Sequence, residues 1–166
     1  IIESEEGTAN DGIVTNDGTF AWTVPNAISD TVKIRISDPN DATVLNVSPA
    51  TFKIHGTFTV TEPNNLPSVE RWITNQPTNL TTITWTSTGT MPTAKIEYST
   101  DGGTTYAPIK ESEQGTPDDG IVTNDGSFAW LVPNAQSTTA RIRISNPADP
   151  LDGFGVSPQF EIGLWR

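Results

Sequence analysis

The sequence predicts an all-β protein made of antiparallel β-sandwiches in tandem, with a repeat of about 108 residues (109 − 1). Residues 1–39 align with residues 109–147 without a gap, and 28 of these 39 positions are identical. Apolar and polar residues alternate over short segments, which is typical of strands with one buried face. The chain contains thirteen Gly and thirteen Pro, residues that favour the tight turns between short strands.

The alignment of the two copies also shows which part of the repeat each segment contains. After one inserted residue near Gly153, VSPATFKI at 47–54 aligns with VSPQFEI at 156–162. We therefore expect residues 57–162 to form one complete repeat and residues 1–56 to form the C-terminal half of another. Residues 163–166 begin the connection to a further repeat. This phase indicates a window from a longer tandem array, in which the two-residue link His55-Gly56 keeps successive units stiff.

Seven strands follow from the two-residue period in the complete repeat. They are expected at residues 57–61, 80–87, 94–100, 104–110, 127–133, 139–145 and 156–162. The third of these, AKIEYST, turns its alanine, isoleucine and tyrosine inward and leaves Lys95 and Glu97 in water. Such alternation predicts two antiparallel sheets around a shared core.

The half-repeat at residues 1–56 raises a packing problem, because it lacks the first four strands of its sandwich. Its inward-facing apolar side chains would face water if nothing covered them. They are Phe20, Trp22, Ile34, Ile36 and Phe52. Trp22 and Trp130 hold the same place in the two copies, and we expect both at core positions.

The segment STDGGTTY at 99–106 has the pattern of an Asp-box hairpin. In such a hairpin Asp101 accepts hydrogen bonds from its own turn, and Gly103 supplies a positive φ. A sialidase propeller would need several blades and at least twice this length. We therefore interpret the segment as a structural turn.

The strings TITWTS, KIEYSTDGGTTY, GSFAWLVP, ARIRISNPADP and VSPQFEI occur in this order. They resemble the immunoglobulin-like domain of the Ser/Thr-rich GPI-anchored surface protein family, also found in a yeast cell-wall synthesis protein and in tandem in bacterial and archaeal surface proteins. The resemblance covers residues 57–162 and the half-repeat. The segment PSVERWITNQP departs from it, since a Gly-rich turn is more usual there. The resemblance implies an extracellular or cell-surface location, a structural or adhesive role, and no catalytic residues.

The loop NDGIVTNDG, with its second copy DDGIVTNDG, is a weak candidate for calcium. Its carboxylates are Asp11 and Asp17 in the first copy and Asp119 and Asp125 in the second. Ca²⁺ prefers six to eight oxygen ligands, which carboxylates and backbone carbonyls can provide, but the spacing is not that of an EF-hand. The acidic loops DPNDA and NPADPLDG are equally weak alternatives. A pair of Asp-Gly turns explains the loop without any metal, and no other cofactor is expected.

Two further pairs of residues are candidate surface sites. Trp72 and Trp165 lie outside the alternating strands, so their place in the core is less secure than that of the strand tryptophans. An exposed tryptophan can stack on a glycan or pack on a neighbouring domain or subunit, and we favour packing for both. Asn46 and Asn79 stand in N-x-S/T triplets, which are glycosylated only in a host that modifies secreted proteins this way.

Charge and composition exclude several classes of function. The net charge of −11 disfavours nucleic acid and anionic membrane surfaces as partners. No apolar run is long enough to insert in a membrane. The chain has no Cys and one His, His55 on the link, so we expect neither a thiol nucleophile nor a Ser-His-Asp triad. Enzymatic activity is not predicted.

The sequence therefore predicts a structural module of an extracellular fibre, sheath, stalk or surface layer. Its partners would be neighbouring repeats or identical subunits, which together form a homopolymer. An adhesin that binds a glycan or a host protein is the alternative, and an enzyme-associated accessory domain is the third.

Overall fold

The computed structural model describes residues 12–65, 68, 70–74, 80–110 and 118–164. These residues are all-β: they form fourteen strands and no helix. The chain divides into two compact units, residues 1–54 and residues 55–166, which we call the first and second units.

The first unit contains four short strands in its described part. They are β1 (Ser29–Val32), β2 (Arg35–Ser37), β3 (Leu45–Val47) and β4 (Phe52–Ile54). Strand β1 pairs with β4 and β2 pairs with β3, both antiparallel, in two separate ladders.

The second unit contains the other ten strands. They are β5 (Thr57–Glu62), β6 (Arg71–Thr74), β7 (Thr81–Thr88), β8 (Thr93–Ser99), β9 (Ala107–Pro108), β10 (Ile121–Thr123), β11 (Ser127–Trp130), β12 (Ser137–Ser145), β13 (Gly155–Val156) and β14 (Phe160–Leu164). One sheet has the order β11-β7-β5. The larger sheet has the order β10-β8-β12-β14-β6, with β9 also on β8 and β13 also on β12.

The two sheets of the second unit enclose one hydrophobic core, which makes the unit sandwich-like. The smaller sheet contributes Phe58, Ile83, Trp85 and Trp130. The larger sheet contributes inward residues of β6, β8, β12 and β14, among them Ile96, Ile142, Ile144 and Phe160. The alternation predicted for these strands is therefore confirmed at the core positions.

One pairing differs from the antiparallel arrangement predicted from the sequence. Strand β6 runs parallel to β14, with Trp72 opposite Ile162 and Ile73 opposite Gly163. The prediction is wrong for this pair, because β6 lies outside the strands predicted from the sequence and pairs with a strand about ninety positions further along the chain (161 − 71).

Other differences also concern short segments. Strands β6 and β10 were not predicted, and the strand expected at 104–110 is reduced to Ala107–Pro108. The segment expected as one strand at 156–162 divides into β13 and β14. Short strands such as these carry too few residues for a two-residue period to be recognised.

Candidate functional site

The duplicated acidic loop forms the same turn in both copies. Oδ1 of Asp17 accepts a hydrogen bond from the amide of Thr19 at 3.0 Å, and Oδ1 of Asp125 accepts one from the amide of Ser127 at 3.1 Å. The glycine after each aspartate has a φ of 90° or 93°, which is favourable only without a Cβ. Both aspartates therefore cap Asx turns.

The other calcium candidates are engaged in the same way. Oδ1 of Asp119 accepts a hydrogen bond from the amide of Ile121 at 2.9 Å, whereas Asp11 lies outside the described residues. In the alternative loops, Asp38, Asp41 and Asn146 each accept a bond from the amide two residues further on. No group of three or more acidic, His or Cys side chains that could hold a metal occurs among the described residues. Calcium binding stays a prediction.

Asp101 organises the hairpin after β8. Oγ1 of Thr105 donates to its Oδ2 at 2.6 Å, the amide of Thr105 donates to its Oδ1 at 2.9 Å, and Oγ of Ser99 donates to its Oδ1 at 2.7 Å. These bonds, led by the Thr105 hydroxyl, hold the pKa of Asp101 well below its usual range. Gly103 has a φ of 98°. The predicted self-capped hairpin is confirmed.

Asn124, in the second copy of the duplicated loop, bridges that loop to the core. Nε1 of the buried Trp85 donates to Oδ1 of Asn124 at 2.7 Å. Nδ2 of Asn124 donates to the carbonyl of Met91 at 2.8 Å and to Oγ of Ser87 at 3.1 Å. The sequence analysis missed this role, because asparagine is common in turns and its presence in TNDG is explained by the turn alone.

A charge cluster lies on β8 and β12. Nε and Nη2 of Arg143 donate to Oε2 of Glu97 at 2.9 and 2.6 Å, and Nζ of Lys95 lies 3.2 Å from Oε1. The Arg143 guanidinium lies over the ring of Tyr106, 4.2 Å from its centroid. Glu97 is only 6% exposed, so the expectation that it lies in water is wrong. Its carboxylate is instead paired with Arg143 and Lys95.

Two carboxyl groups meet where β5 leads to β6. Burial and the nearby Glu62 carboxyl group raise the pKa of Glu70 to about 7. Nδ2 of Asn64 donates to Oε1 of Glu62 at 2.6 Å, whereas Oε2 of Glu70 is shielded from solvent without a hydrogen-bond partner. The environment of Glu70 therefore disfavours its ionised form in the folded state.

Trp72 is a core residue and not an interface residue as predicted. It is 8% exposed, and its ring centroid lies 5.9 Å from that of Trp130 and 4.7 Å from that of Phe160. Pairing of β6 with β14 turns the indole to the inner face, which explains the difference. Trp165 lies outside the described residues.

The two candidate glycosylation sites differ in what the structure describes. Asn46 lies on β3 and is exposed, so its side chain is accessible to a modifying enzyme. Asn79 lies outside the described residues.

A polar groove of about 450 Å³ lies beside β6, β12 and β14. Arg71 and Glu161 line it, with Nε and Oε2 4.0 Å apart, together with the hydroxyl-bearing residues Ser137 and Thr139. Arg71 lies across Gly163, where a Cβ would collide with the guanidinium. The groove offers hydrogen-bond donors and acceptors to a polar ligand.

Large apolar side chains are exposed on the first unit. Ile36 is 74% exposed, Val24 56% and Phe52 37%. The corresponding residues of the second unit are Ile144, Val132 and Phe160, each at most 3% exposed. We call the exposed set, together with Phe20 and Trp22, the apolar face of the first unit.

The sequence analysis expects five inward-facing residues of the first unit to face water, and three of them are exposed. Phe20, Ile36 and Phe52 are exposed, whereas Trp22 and Ile34 are half-buried. The ring of Trp22 packs edge-on against Phe52, with centroids 6.4 Å apart and an interplanar angle of 85°.

Comparisons with known proteins found no match: no protein-family model, no curated protein and no solved structure is similar to this chain. The immunoglobulin-like resemblance therefore rests on the quoted motifs alone. Within the described part of the chain, no helix has the length and apolar character needed to cross a membrane.

Proposed function

We propose that the protein is a non-catalytic structural module of an extracellular or cell-surface protein, built from immunoglobulin-like sandwiches in tandem. The observation that carries the proposal is the agreement between the duplicated segments, which pair their strands in one register. The equivalent pairs are Ser29–Ile54 with Ser137–Ile162, and Val32–Phe52 with Ala140–Phe160. This agreement supports a structural unit that recurs along the chain.

A shared serine bridge supports the same proposal. The amide of Ser48 donates to the carbonyl of Ile34 at 2.8 Å, and the amide of Ser157 donates to the carbonyl of Ile142 at 2.9 Å. Each serine hydroxyl accepts a bond from the amide of that isoleucine, at 3.3 and 2.9 Å. In both copies, the serine of the Ser-Pro dipeptide is therefore joined to the equivalent isoleucine by the same two hydrogen bonds.

The mechanism of such a module is mechanical. In the second unit the chain enters through β5 and leaves through β14, which belong to different sheets. A pull on the two ends would load the ladder of β5 with β7 and the ladders of β14 with β12 and β6. Many hydrogen bonds would then bear the load together, while the net charge of −11 keeps the surface hydrated.

The test is the intact mass of the native polypeptide, together with labelling of whole cells by a membrane-impermeant amine reagent. We expect a mass several repeats above the 17.9 kDa of this chain, and labelling without lysis. A native mass of 17.9 kDa, or labelling only after lysis, would contradict the proposal. Its partners would be neighbouring repeats or identical subunits.

The polar groove favours glycan binding as a second function. Its paired Arg71 and Glu161 and its hydroxyl groups can bond to sugar hydroxyls. A glycan array with the full chain tests this, with Arg71→Ala as the variant expected to lose binding and Lys33→Ala, on the first unit, as the control. Absence of saturable binding would remove this function.

A further inference from the structure

The second unit shows what covers its own counterpart of the apolar face. Strand β8 pairs with Arg141–Ser145 of β12 and places Ile96 opposite Ile144. From β6, Trp72 contacts both Trp130 and Phe160. Residues 57–108, which contain β5 to β9, therefore close this face of the second unit.

Among the described residues of the first unit, no strand covers the corresponding positions. Residues 33–37 correspond to 141–145, and among the described strands β2 pairs with β3 alone. Its other edge is the one that β8 occupies in the second unit. An open strand edge beside an exposed apolar face is a docking surface for another strand.

We propose that the first unit is an acceptor for a polypeptide segment with the pattern of residues 57–108, which adds an antiparallel strand to the open edge of β2 and covers the apolar face. The inference rests on the proposed tandem architecture for the origin of that segment. The expected pairing of that segment with β2 is taken from the pairing of β8 with β12 in the second unit.

An aromatic anchor provides the first element of recognition. Trp22 and Phe52, the counterparts of Trp130 and Phe160, contact each other edge-on. In the second unit the equivalent rings each contact Trp72. A partner tryptophan at the position of Trp72 would therefore enter against Trp22 and Phe52 and remove their exposed surface from water.

A charge pair provides the second element. Arg35 is exposed on β2 and corresponds to Arg143, which makes two hydrogen bonds to Glu97. A partner strand with glutamate at the position of Glu97 would bring its carboxylate to Arg35. A strand with a cation there would be rejected.

The same charges argue against a second copy of the first unit as the occupant. The open edge carries Lys33 and Arg35, so two such edges side by side would bring like charges together. Residues 57–108 of a second copy are already packed in their own unit. A separate segment of this type is therefore the occupant that fits.

The experiment joins an additional copy of residues 57–108 ahead of Ile1, because Ile1 corresponds to Ile109. Amide hydrogen exchange is followed by mass spectrometry in residues 30–37, with residues 138–145 as an internal control for folding. We expect exchange in residues 30–37 to slow by about 100-fold or more relative to the unfused chain.

A charge reversal tests recognition within the fused chain. Arg35→Glu should remove about 10-fold or more of the protection, and Glu97→Arg in the added copy should restore it. In a second arrangement, residues 57–108 are added to the unfused chain as a separate polypeptide. The result then does not depend on the covalent link.

Unchanged exchange in residues 30–37 in both formats, while residues 138–145 stay protected, would overturn the inference. So would protection in the unfused chain that rises with concentration together with a dimer mass, since a second copy would then cover the face. Neither result depends on the native mass or on surface labelling, so the proposed function can fail or stand separately.

Discussion

Residues 12–18 and 120–126 have the same sequence, GIVTNDG, yet only the second copy contains a strand. Ile121–Thr123 forms β10 by pairing with Thr93–Lys95 of β8, whereas residues 13–15 form no strand. The glycines nonetheless agree closely, with φ of 81° and 80° at the first position and 90° and 93° at the second. Local torsions follow the sequence, while the strand requires a partner.

The aromatic residues of the two units differ for the same reason. Trp130 is buried against Trp72 and Tyr98, whereas its counterpart Trp22 is half-buried against Phe52. Identical side chains therefore contribute differently to stability, because the contacts that bury them come from the other half of the sandwich. Matched substitutions in the two copies measure this difference directly.

The largest contrast is expected at the tryptophans. Trp130→Ala should lower the free energy of unfolding of the full chain by about 3–5 kcal/mol, because it leaves a cavity between the sheets. Trp22→Ala should change it by less than about 0.5 kcal/mol. Guanidinium titration followed by circular dichroism measures both. Equal losses would mean that the first unit is covered in solution.

The next contrast concerns the arginines of the two copies. Arg143→Met should cost about 2–3 kcal/mol, because Glu97 stays buried and, among the described residues, keeps Lys95 alone as an ion-pair partner. Arg35→Met, at the exposed counterpart, should be neutral within about 0.5 kcal/mol. Thermal unfolding of the two variants measures the difference. A neutral Arg143→Met would show that Lys95 alone satisfies the carboxylate.

A smaller contrast is expected at the asparagines of the duplicated loop. Asn124→Ala should cost about 1–3 kcal/mol, because Nε1 of Trp85 and the carbonyl of Met91 lose their partner. Asn16→Ala should have no measurable effect on the main unfolding transition. The measurement is urea titration at one fixed pH. A similar loss in both variants would contradict the bridging role of Asn124.

The smallest effect is expected at Glu70, for which the first unit has no counterpart. The folded-state pKa is raised above the usual 4.5 to about 7, so the folded state holds its proton more tightly than the unfolded state. Stability therefore falls as pH rises through this window. Glu70→Gln should stabilise the protein by up to about 1 kcal/mol at alkaline pH, since solvent screens part of the repulsion from Glu62.

The measurement for Glu70 is the melting temperature at about pH 5 and about pH 8.5. The variant and the parent chain should agree at the lower pH and differ at the higher one. Glu161→Gln, on the neighbouring strand β14, is the control and should show no such divergence. A constant offset between Glu70→Gln and the parent at both values would contradict a raised pKa.

The longer strands and their inward residues could be predicted from alternation alone. The inward positions of Ile83, Trp85, Ile96 and Ile142 follow from the sequence, because apolar and polar residues alternate around each of them. Strand β6 could not be predicted, since RWIT is short and its parallel partner β14 lies about ninety positions further along the chain (161 − 71). The position of Trp72 followed from that pairing, and so the interface prediction for it was wrong.

The candidate sites also differ in whether their residues are close together or far apart in the sequence. The turn chemistry of Asp101 is local and was predicted, because a carboxylate followed by glycines bonds to its own backbone. The Glu97–Arg143 pair joins residues 46 positions apart, and nothing in either segment marks them as partners.

By itself the sequence determined the repeat, the turns and the inward face of each long strand, because these depend on residues close together in the chain. Only the tertiary structure decided whether those faces are covered. The two copies make this plain: the same GIVTNDG segment pairs where β8 is present and stays irregular where it is absent. A β-strand satisfies its backbone through a distant neighbour, so its sequence alone cannot supply the other half of the ladder.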